Sequence, residues 1–256
     1  MLFDTHTHCE YSTDSKMKIT EAIAAAEKSQ IGLTVTEHCD FDYPTNPEAF
    51  VFDVEDYLTK FQGYRSPLVL LGVELGLQEQ VLEQNQSLVK QYNLDCIIGS
   101  IHCVHGRDLY EPKAYRGLTK KEALQEYLEV AITNFSIFDG YNIVGHIDYI
   151  CRYMPYEDTE LYYEEFPALW DELFKRILDK EKVLEINTRR LGEPKAVETL
   201  TILYQRYREL GGRFVSIGSD AHYKEHVGRN LKLAKQIATT CDLQTVHFQE
   251  RQMIID

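Results

Sequence analysis

No apolar run in the 256 residues approaches the roughly 18 that a membrane-spanning helix needs, so no membrane is expected as a partner. Cysteine is sparse: the six at 9, 39, 96, 103, 151 and 241 form no CxxC pair, which excludes a zinc ribbon and any disulfide framework. Reduced thiols are expected. Basic residues are outnumbered, 27 Lys and Arg against 41 Asp and Glu, giving a net charge of −14. No basic stripe is visible, which argues against nucleic acid as a partner. No Pro/Gly/Ser-rich linker, charge block, repeat or low-complexity segment divides the chain, so residues 1–256 are expected to form one domain. The N-terminus opens in an apolar strand without a basic n-region, so no secretory signal and a cytoplasmic location are expected.

What is present is an alternation of short apolar strands and amphipathic helices, the pattern of an α/β fold with a parallel sheet. Strands are expected at Leu2–His6, Leu33–His38, Leu68–Glu74, Cys96–His102, Asn142–His146, Val183–Asn187 and Phe214–Asp220. Helices are expected over about 19–28, 54–64, 80–92, 119–138, 166–180, 195–210 and 228–239. Gly32 is expected to stop the first helix. Thr119 with Glu122 three residues on reads as a capping box. Val104–Leu118 is a long loop, and Thr245–Ile255 is expected to add a short strand that closes one end.

Chemistry collects at the strand C-termini. The first ends in Asp4-Thr5-His6-Thr7-His8, and alternation puts His6 and His8 on one face, where two imidazoles can grip one metal. Later strands end in His38, Glu74, His102, His146 and Asp220-Ala221-His222. A lone strand-end histidine is ordinarily a hydrogen-bonded core residue, and Asp220 alone reads as a turn cap. Six of nine histidines at strand ends is a different matter. Only a closed barrel brings so many strand ends to one mouth, so the recurrence argues for closure as well as for a site. Of the other histidines, His105 is expected to line the cleft, and His226 and His247 to be surface or packing residues. Cys9, Cys39 and Cys103 each follow a ligand histidine by one residue and should face away from it.

In order along the chain, His6-x-His8, Thr36-Glu37-His38, Glu74, Gly99-Ser100-Ile101-His102, Gly145-His146-Ile147-Asp148, Glu185-Ile186-Asn187-Thr188 and Gly218-Ser219-Asp220-Ala221-His222 resemble the PHP (polymerase and histidinol phosphatase) superfamily, within it the histidinol-phosphate phosphatases. The resemblance implies a distorted (β/α)7 barrel holding two to three divalent metals, Zn, Fe or Mn, at its C-terminal mouth. Carried over, one metal takes His6, His8, Glu74 and Asp220, and a second shares Glu74 and takes His102 and His146. The third takes His38, His222 and Asp14, where many relatives have histidine. An aspartate oxygen is harder than imidazole and adds negative charge.

A phosphate monoester is a stable dianion, and a metal cluster can neutralise it, activate water and help the departing alkoxide. The expected activity is metal-dependent hydrolysis of a small phosphate monoester, L-histidinol phosphate above others, in histidine biosynthesis. Glu74, Asp220 and His222 are the candidate catalytic groups, with Asp220 or His222 protonating the leaving oxygen. Arg152, Arg189 and Arg190 are candidates for the phosphate, because guanidinium fits it bidentately. Asp4, Glu37 and Asp148 are candidate orienters of ligand histidines. Glu10, Asp108 and Glu111 are candidate partners for the ammonium and imidazole of such a substrate. Three alternatives remain at this point. One is the same chemistry on phosphotyrosine, a sugar phosphate or a nucleotide. The others are a nuclease or proofreading module and a non-catalytic metal-binding protein.

Overall fold

Seven parallel strands wrap into a barrel in the computed structural model, which describes residues 1–256. In chain order the elements are β1 (Phe3–Thr7), α1 (Ile19–Ser29), β2 (Gly32–Cys39), α2 (Val54–Phe61), β3 (Val69–Gly76), α3 (Leu82–Gln91) and β4 (Cys96–Ser100). A small hairpin, β5 (Cys103–Val104) and β6 (Arg107–Asp108), precedes α4 (Lys120–Ile137) and β7 (Ile143–Val144). There follow α5 (Pro167–Asp179), β8 (Val183–Asn187), α6 (Pro194–Glu209), β9 (Phe214–Gly218), α7 (Leu231–Thr240), β10 (Gln244–Gln249) and β11 (Gln252–Ile255). The main sheet runs β1-β2-β3-β4-β7-β8-β9-β10-β11, parallel up to β10, with β11 antiparallel to β10. A helix between consecutive barrel strands is what permits parallel neighbours.

Closure is made by chain just beyond β9 rather than by β9 itself. The Asp220 N–H donates to the His6 carbonyl and the His8 N–H to the Ala221 carbonyl, each at 2.8 Å. Thr7 and Ala221 form a parallel bridge. The hydroxyl of Thr5 adds a bond to the Ile217 carbonyl at 3.0 Å. The seam therefore draws His6, His8, Asp220 and His222 together.

At the opposite end β10 bonds β9 only through Gln244 and Thr245, then turns under the barrel. Val246 and Phe248 pack with Cys96, Ile98, Ile143 and Val183 in a separate apolar cluster. Strand alternation points Cys96, Ile98 and Ser100 the same way, so this cluster is the lower layer of the interior and the polar site is the upper layer. The tail thus closes one end as expected, but as a two-strand hairpin turning at Glu250-Arg251 rather than one short strand. A 60-residue apolar cluster fills the space between strands and helices.

Local expectations hold with adjustments. The capping box is formed, with the Glu122 N–H donating to Thr119 Oγ1 and the Thr119 N–H to Glu122 Oε2. The first helix ends differently. Gln30, at φ 56°, supplies the left-handed cap, while Gly32 opens β2 against the Phe3 ring, where a Cβ would overlap it. The strand expected at Asn142–His146 pairs only at Ile143–Val144. The Asn142 side chain accepts the Ile97 N–H at 3.0 Å, and the chain turns off at Gly145. No helix is long and apolar enough to cross a membrane.

Candidate metal centre and its cavity

Alternation along β3 turns Glu74 inward at its end, and its carboxylate is the hub of the site. Glu74 Oε2 lies 3.1 Å from His6 Nε2, 3.4 Å from His8 Nε2 and 3.0 Å from His38 Nδ1. Glu74 Oε1 lies 2.7 Å from His146 Nε2 and 3.3 Å from His102 Nε2, and accepts the Ser100 hydroxyl at 2.6 Å. Asp220 Oδ1 is 3.6 Å from His8 Nε2 and from His222 Nδ1. Asp14 reaches in from the first loop, 3.0 Å from His222 Nε2 and 3.8 Å from His38 Nε2. All nine residues expected as ligands therefore meet at the mouth.

Hydrogen bonds on the far side of the rings decide which nitrogen each presents. Carboxylates only accept, so His6 Nδ1–H donates to Glu185 Oε1 at 2.7 Å and His102 Nδ1–H to Asp40 Oδ2 at 2.6 Å. The Ser12 hydroxyl donates to Glu37 Oε2 at 2.6 Å and so can accept His8 Nδ1–H at 3.1 Å. His222 Nδ1–H donates to the Asp220 carbonyl at 3.0 Å. Each of these four imidazoles then aims Nε2 and its lone pair at the common centre.

That centre fits metal. His6 Nε2, His8 Nε2, His38 Nδ1 and Glu74 Oε2 are buried and have no hydrogen-bond donor opposite them. Four buried lone-pair donors facing one another repel unless a cation sits among them. Three triads hold donor atoms within 4.8 Å of one another: His6/His8/Glu74, His38/Glu74/His102 and His8/His38/His222. Glu74 belongs to two of them, in keeping with a shared ligand. The grouping differs from the carried-over one in that His38 joins His102, and His8 joins His222. Asp14, with its side chain 44% exposed, stands at the rim.

Without metal, protons take part of that cation's place. Burial pushes the Glu74 carboxyl up, but the His6, His38, His102 and His146 imidazoles outweigh it and hold it well below the usual range. Burial opposes charge on His6, yet Glu74 and Glu185 keep it well above its ordinary value. His8 is held well below, by burial and then by repulsion from His38, His222 and His6. Asp220 is kept ionised against burial, chiefly by Arg152.

The orienters differ from those expected. Glu185 and Asp40 grip His6 and His102 directly; Glu185 opens one of the motifs above but without this role, and Asp40 lies outside them. Glu185 Oε2 also accepts the His146 backbone N–H at 2.7 Å. Gly218 must be glycine for this contact, since a Cβ there would run into Glu185 Oε1 and His6 Cβ. Glu37 works through Ser12 on His8 rather than on His38. Asp4 touches no imidazole side chain; it accepts the Ser219 and Gly228 N–H groups at 2.8 Å and pins the loops after β9. Asp148 lies 3.5 Å from Arg190 instead of orienting a histidine. Glu185→Gln is expected to weaken metal binding roughly 10- to 100-fold with the fold intact, read by competition with a fluorescent chelator. Unchanged affinity would remove Glu185 from the site.

A cavity of about 540 Å³ opens above the cluster, with His38, His102, His146, Asp220 and His222 along one wall. Arg152, its side chain 6% exposed, donates from Nη1 to Asp220 Oδ2 at 2.6 Å and from Nη2 to Asn187 Oδ1 at 3.0 Å. Arg189, 43% exposed, holds Nη1 3.6 Å from Asp220 Oδ1. Asp108 and Glu111 line the outer wall with Tyr43, Phe50, Tyr149 and Tyr153. Three expected residues lie elsewhere. Arg190 turns away into a network with buried Glu160 and Asp148, and with Glu193 at the surface. His105 is exposed at φ 51° and, with Gly106 at φ 70°, makes the β5–β6 turn. Glu10 pairs with Lys18. Arg190→Ala should cost roughly 3–5 kcal/mol by stranding buried Glu160, measured by urea unfolding. A loss under about 1 kcal/mol would count the network as inert.

The sequence pattern of the PHP domain matches residues 4–189. The chain belongs to the PHP family. A PHP relative from Clostridium acetobutylicum, named probable histidinol-phosphatase, is 47% identical over 253 residues, 99% of each chain. The histidinol-phosphatase of Lactococcus lactis is 29% identical over 229 residues, covering 86% of this chain and 83% of that one. A crystal structure of the Lactococcus lactis histidinol phosphate phosphatase, complexed with Zn, L-histidinol and phosphate, superposes with a TM-score of 0.92. It shares 26% identity and is matched over 99% of this chain and 98% of its own. The PHP barrel, with its divalent-metal triads at the strand ends, is thus a fold this chain has in common with a ligand-bound relative.

Proposed function

We propose that this protein is a metal-dependent phosphomonoesterase that hydrolyses L-histidinol phosphate to L-histidinol and phosphate, in histidine biosynthesis. The observation that carries the reading is the near-complete superposition on a relative that holds Zn, L-histidinol and phosphate. Full-length similarity to the Clostridium protein supports it. We place it in the cytoplasm, where its six free, buried cysteines stay reduced.

His6, His8, Asp14, His38, Glu74, His102, His146, Asp220 and His222 are the proposed metal ligands. Divalent ions held there supply charge neutralisation for the phosphate and lower the pKa of water. The protein's own groups do the rest. Arg152 and Arg189 flank Asp220 and present guanidinium N–H groups to phosphate oxygens. Asp220, kept ionised, is unsuited to start as an acid. It takes the proton of the attacking water at Oδ1 and passes it to the departing alkoxide. His222, its Nδ1–H tied to the Asp220 carbonyl and its Nε2 aimed at the metal centre, has no nitrogen free for that transfer.

The far wall suits the alcohol. Tyr149, Tyr153 and Phe50 offer ring faces for an imidazole, and Glu111 and Asp108 offer negative charge to an ammonium. The same acidic rim opposes a polynucleotide and speaks against a nuclease. A panel on metal-loaded protein tests the reading. The kcat/KM for histidinol phosphate should exceed that for phosphotyrosine, nucleotides and sugar phosphates by roughly 100-fold. Preference for another ester would overturn the substrate. Within the same panel, Glu111→Gln should raise KM for histidinol phosphate about tenfold, the loss of one charged hydrogen bond. Hydrolysis of p-nitrophenyl phosphate, which has no ammonium, should not change.

A further inference from the structure

The closed end of the barrel holds a second cavity, of about 490 Å³, on the face opposite the metal centre. It is bordered by the residues that lead into β8 and β9 and by the β10–β11 hairpin. Its charge runs against the chain. Four of its 13 lining residues are cationic, Lys180, Lys182, Arg213 and Arg251, and one is anionic, Glu181. Overall, acids outnumber bases 41 to 27. Of the four cations only Lys180 is ion-paired, to Asp139. Lys180 and Arg213 follow the C-termini of α5 and α6, where cations suit the helix dipole. That accounts for two of them.

Lys182 and Arg251 need another account. The Lys182 ammonium sits 5.5 Å over the Tyr141 ring with no carboxylate partner. Burial holds Lys182 below its ordinary range, and Arg251 is the next cause. Arg251 is the second residue of a hairpin turn in which Glu250, at φ 50°, and Arg251, at φ 63°, are both left-handed. Asn-Gly is the favoured pair there. A bulky Arg stands there nonetheless, and Nη2 donates to the Gly140 carbonyl at 2.9 Å, fixing the guanidinium at the cavity. Val183, Phe214 and Phe248 give the cavity an apolar floor.

We infer that this cavity binds a small organic anion, an apolar body bearing a carboxylate, sulfonate or phosphate. The acidic group meets Lys182, Arg213 and Arg251, and the body rests on the apolar floor. Occupancy relieves the mutual repulsion of cations that Glu181 and Asp139 offset only in part.

The test is fluorescence titration of the metal-loaded protein with 8-anilino-1-naphthalenesulfonate, beside the uncharged dye Nile red. One saturable sulfonate site is expected. Lys182→Gln/Arg213→Gln should weaken it about tenfold or more, with Nile red unaffected. Phosphatase kinetics should stay at the parent level, and Arg152→Ala should leave dye binding unchanged, which separates this site from the mouth. If the double variant does not fold, Arg213→Gln alone, at an exposed side chain, should weaken binding about threefold. Absence of a saturable site, or a Kd within twofold of the parent in these variants, would overturn the inference.

Discussion

Glu74→Ala is expected to lower kcat/KM for histidinol phosphate by roughly 1,000-fold or more, through loss of metal rather than of fold. Glu74 is the one carboxylate within 3.4 Å of His6, His8, His38, His102 and His146 nitrogens, so no neighbour can take over its contacts. Its removal leaves those imidazoles facing one another with no carboxylate at the centre, although His6 keeps Glu185 and His102 keeps Asp40 on their far sides. Metal content should drop to at most one ion per chain. Near-UV circular dichroism should stay parental, since the apolar layers do not depend on Glu74. Glu74→Gln keeps the shape and removes the charge, and should lose nearly as much activity. Turnover within tenfold of the parent in either variant would sink the shared-ligand role.

How far the site was legible depends on what kind of element carried each residue. Strand alternation and position at a strand end are local signals, and they sufficed for His6, His8, His38, Glu74 and His102. The same parity rule applied to Val183–Asn187 would have pointed Glu185 inward, a charge in an otherwise apolar strand. It also places Asp40 on the face of His38, two residues before it. Their roles stay hidden because their partners are imidazoles more than 60 residues away, a pairing no local pattern reveals. Where the chain leaves a strand the rule lapses. Arg189 and Arg190 are neighbours, yet one faces the cavity and the other a buried network. His105 sits in a hairpin with two residues per strand, too short to register as periodicity. The barrel itself was inferred from its chemistry, whereas its seam, made by Asp220 and Ala221 beyond β9, is a backbone event without a side-chain signature.

Stripping the metals should abolish turnover and also lower the melting temperature, by an amount that grows with pH. Ions that bind only the native state stabilise it by about 2.7 kcal/mol per site at 100 times Kd. For a chain of this size each kcal/mol moves Tm by roughly 2–4 °C, so two or three sites amount to roughly 10–30 °C. The metal-free protein has a partial substitute in the His6–Glu74–Glu185 cluster. The raised His6 pKa contributes stability that is full below its ordinary value of 6.5 and is lost as pH rises through the folded value. The lowered Glu74 pKa contributes above its ordinary 4.5 and is lost only as pH falls through the folded value. Both are therefore present near pH 5–6, where the metal-free form keeps this pair's contribution in full. Raising the pH removes the imidazolium and, at the same time, frees imidazole lone pairs for metal. The gap between loaded and stripped protein should accordingly widen from pH 6 to pH 8, in calorimetry after dipicolinate treatment and again after re-addition of Zn. A gap that is flat or narrows over that range, or turnover that survives complete stripping, would mean that the orphaned donors at the mouth are not metal ligands.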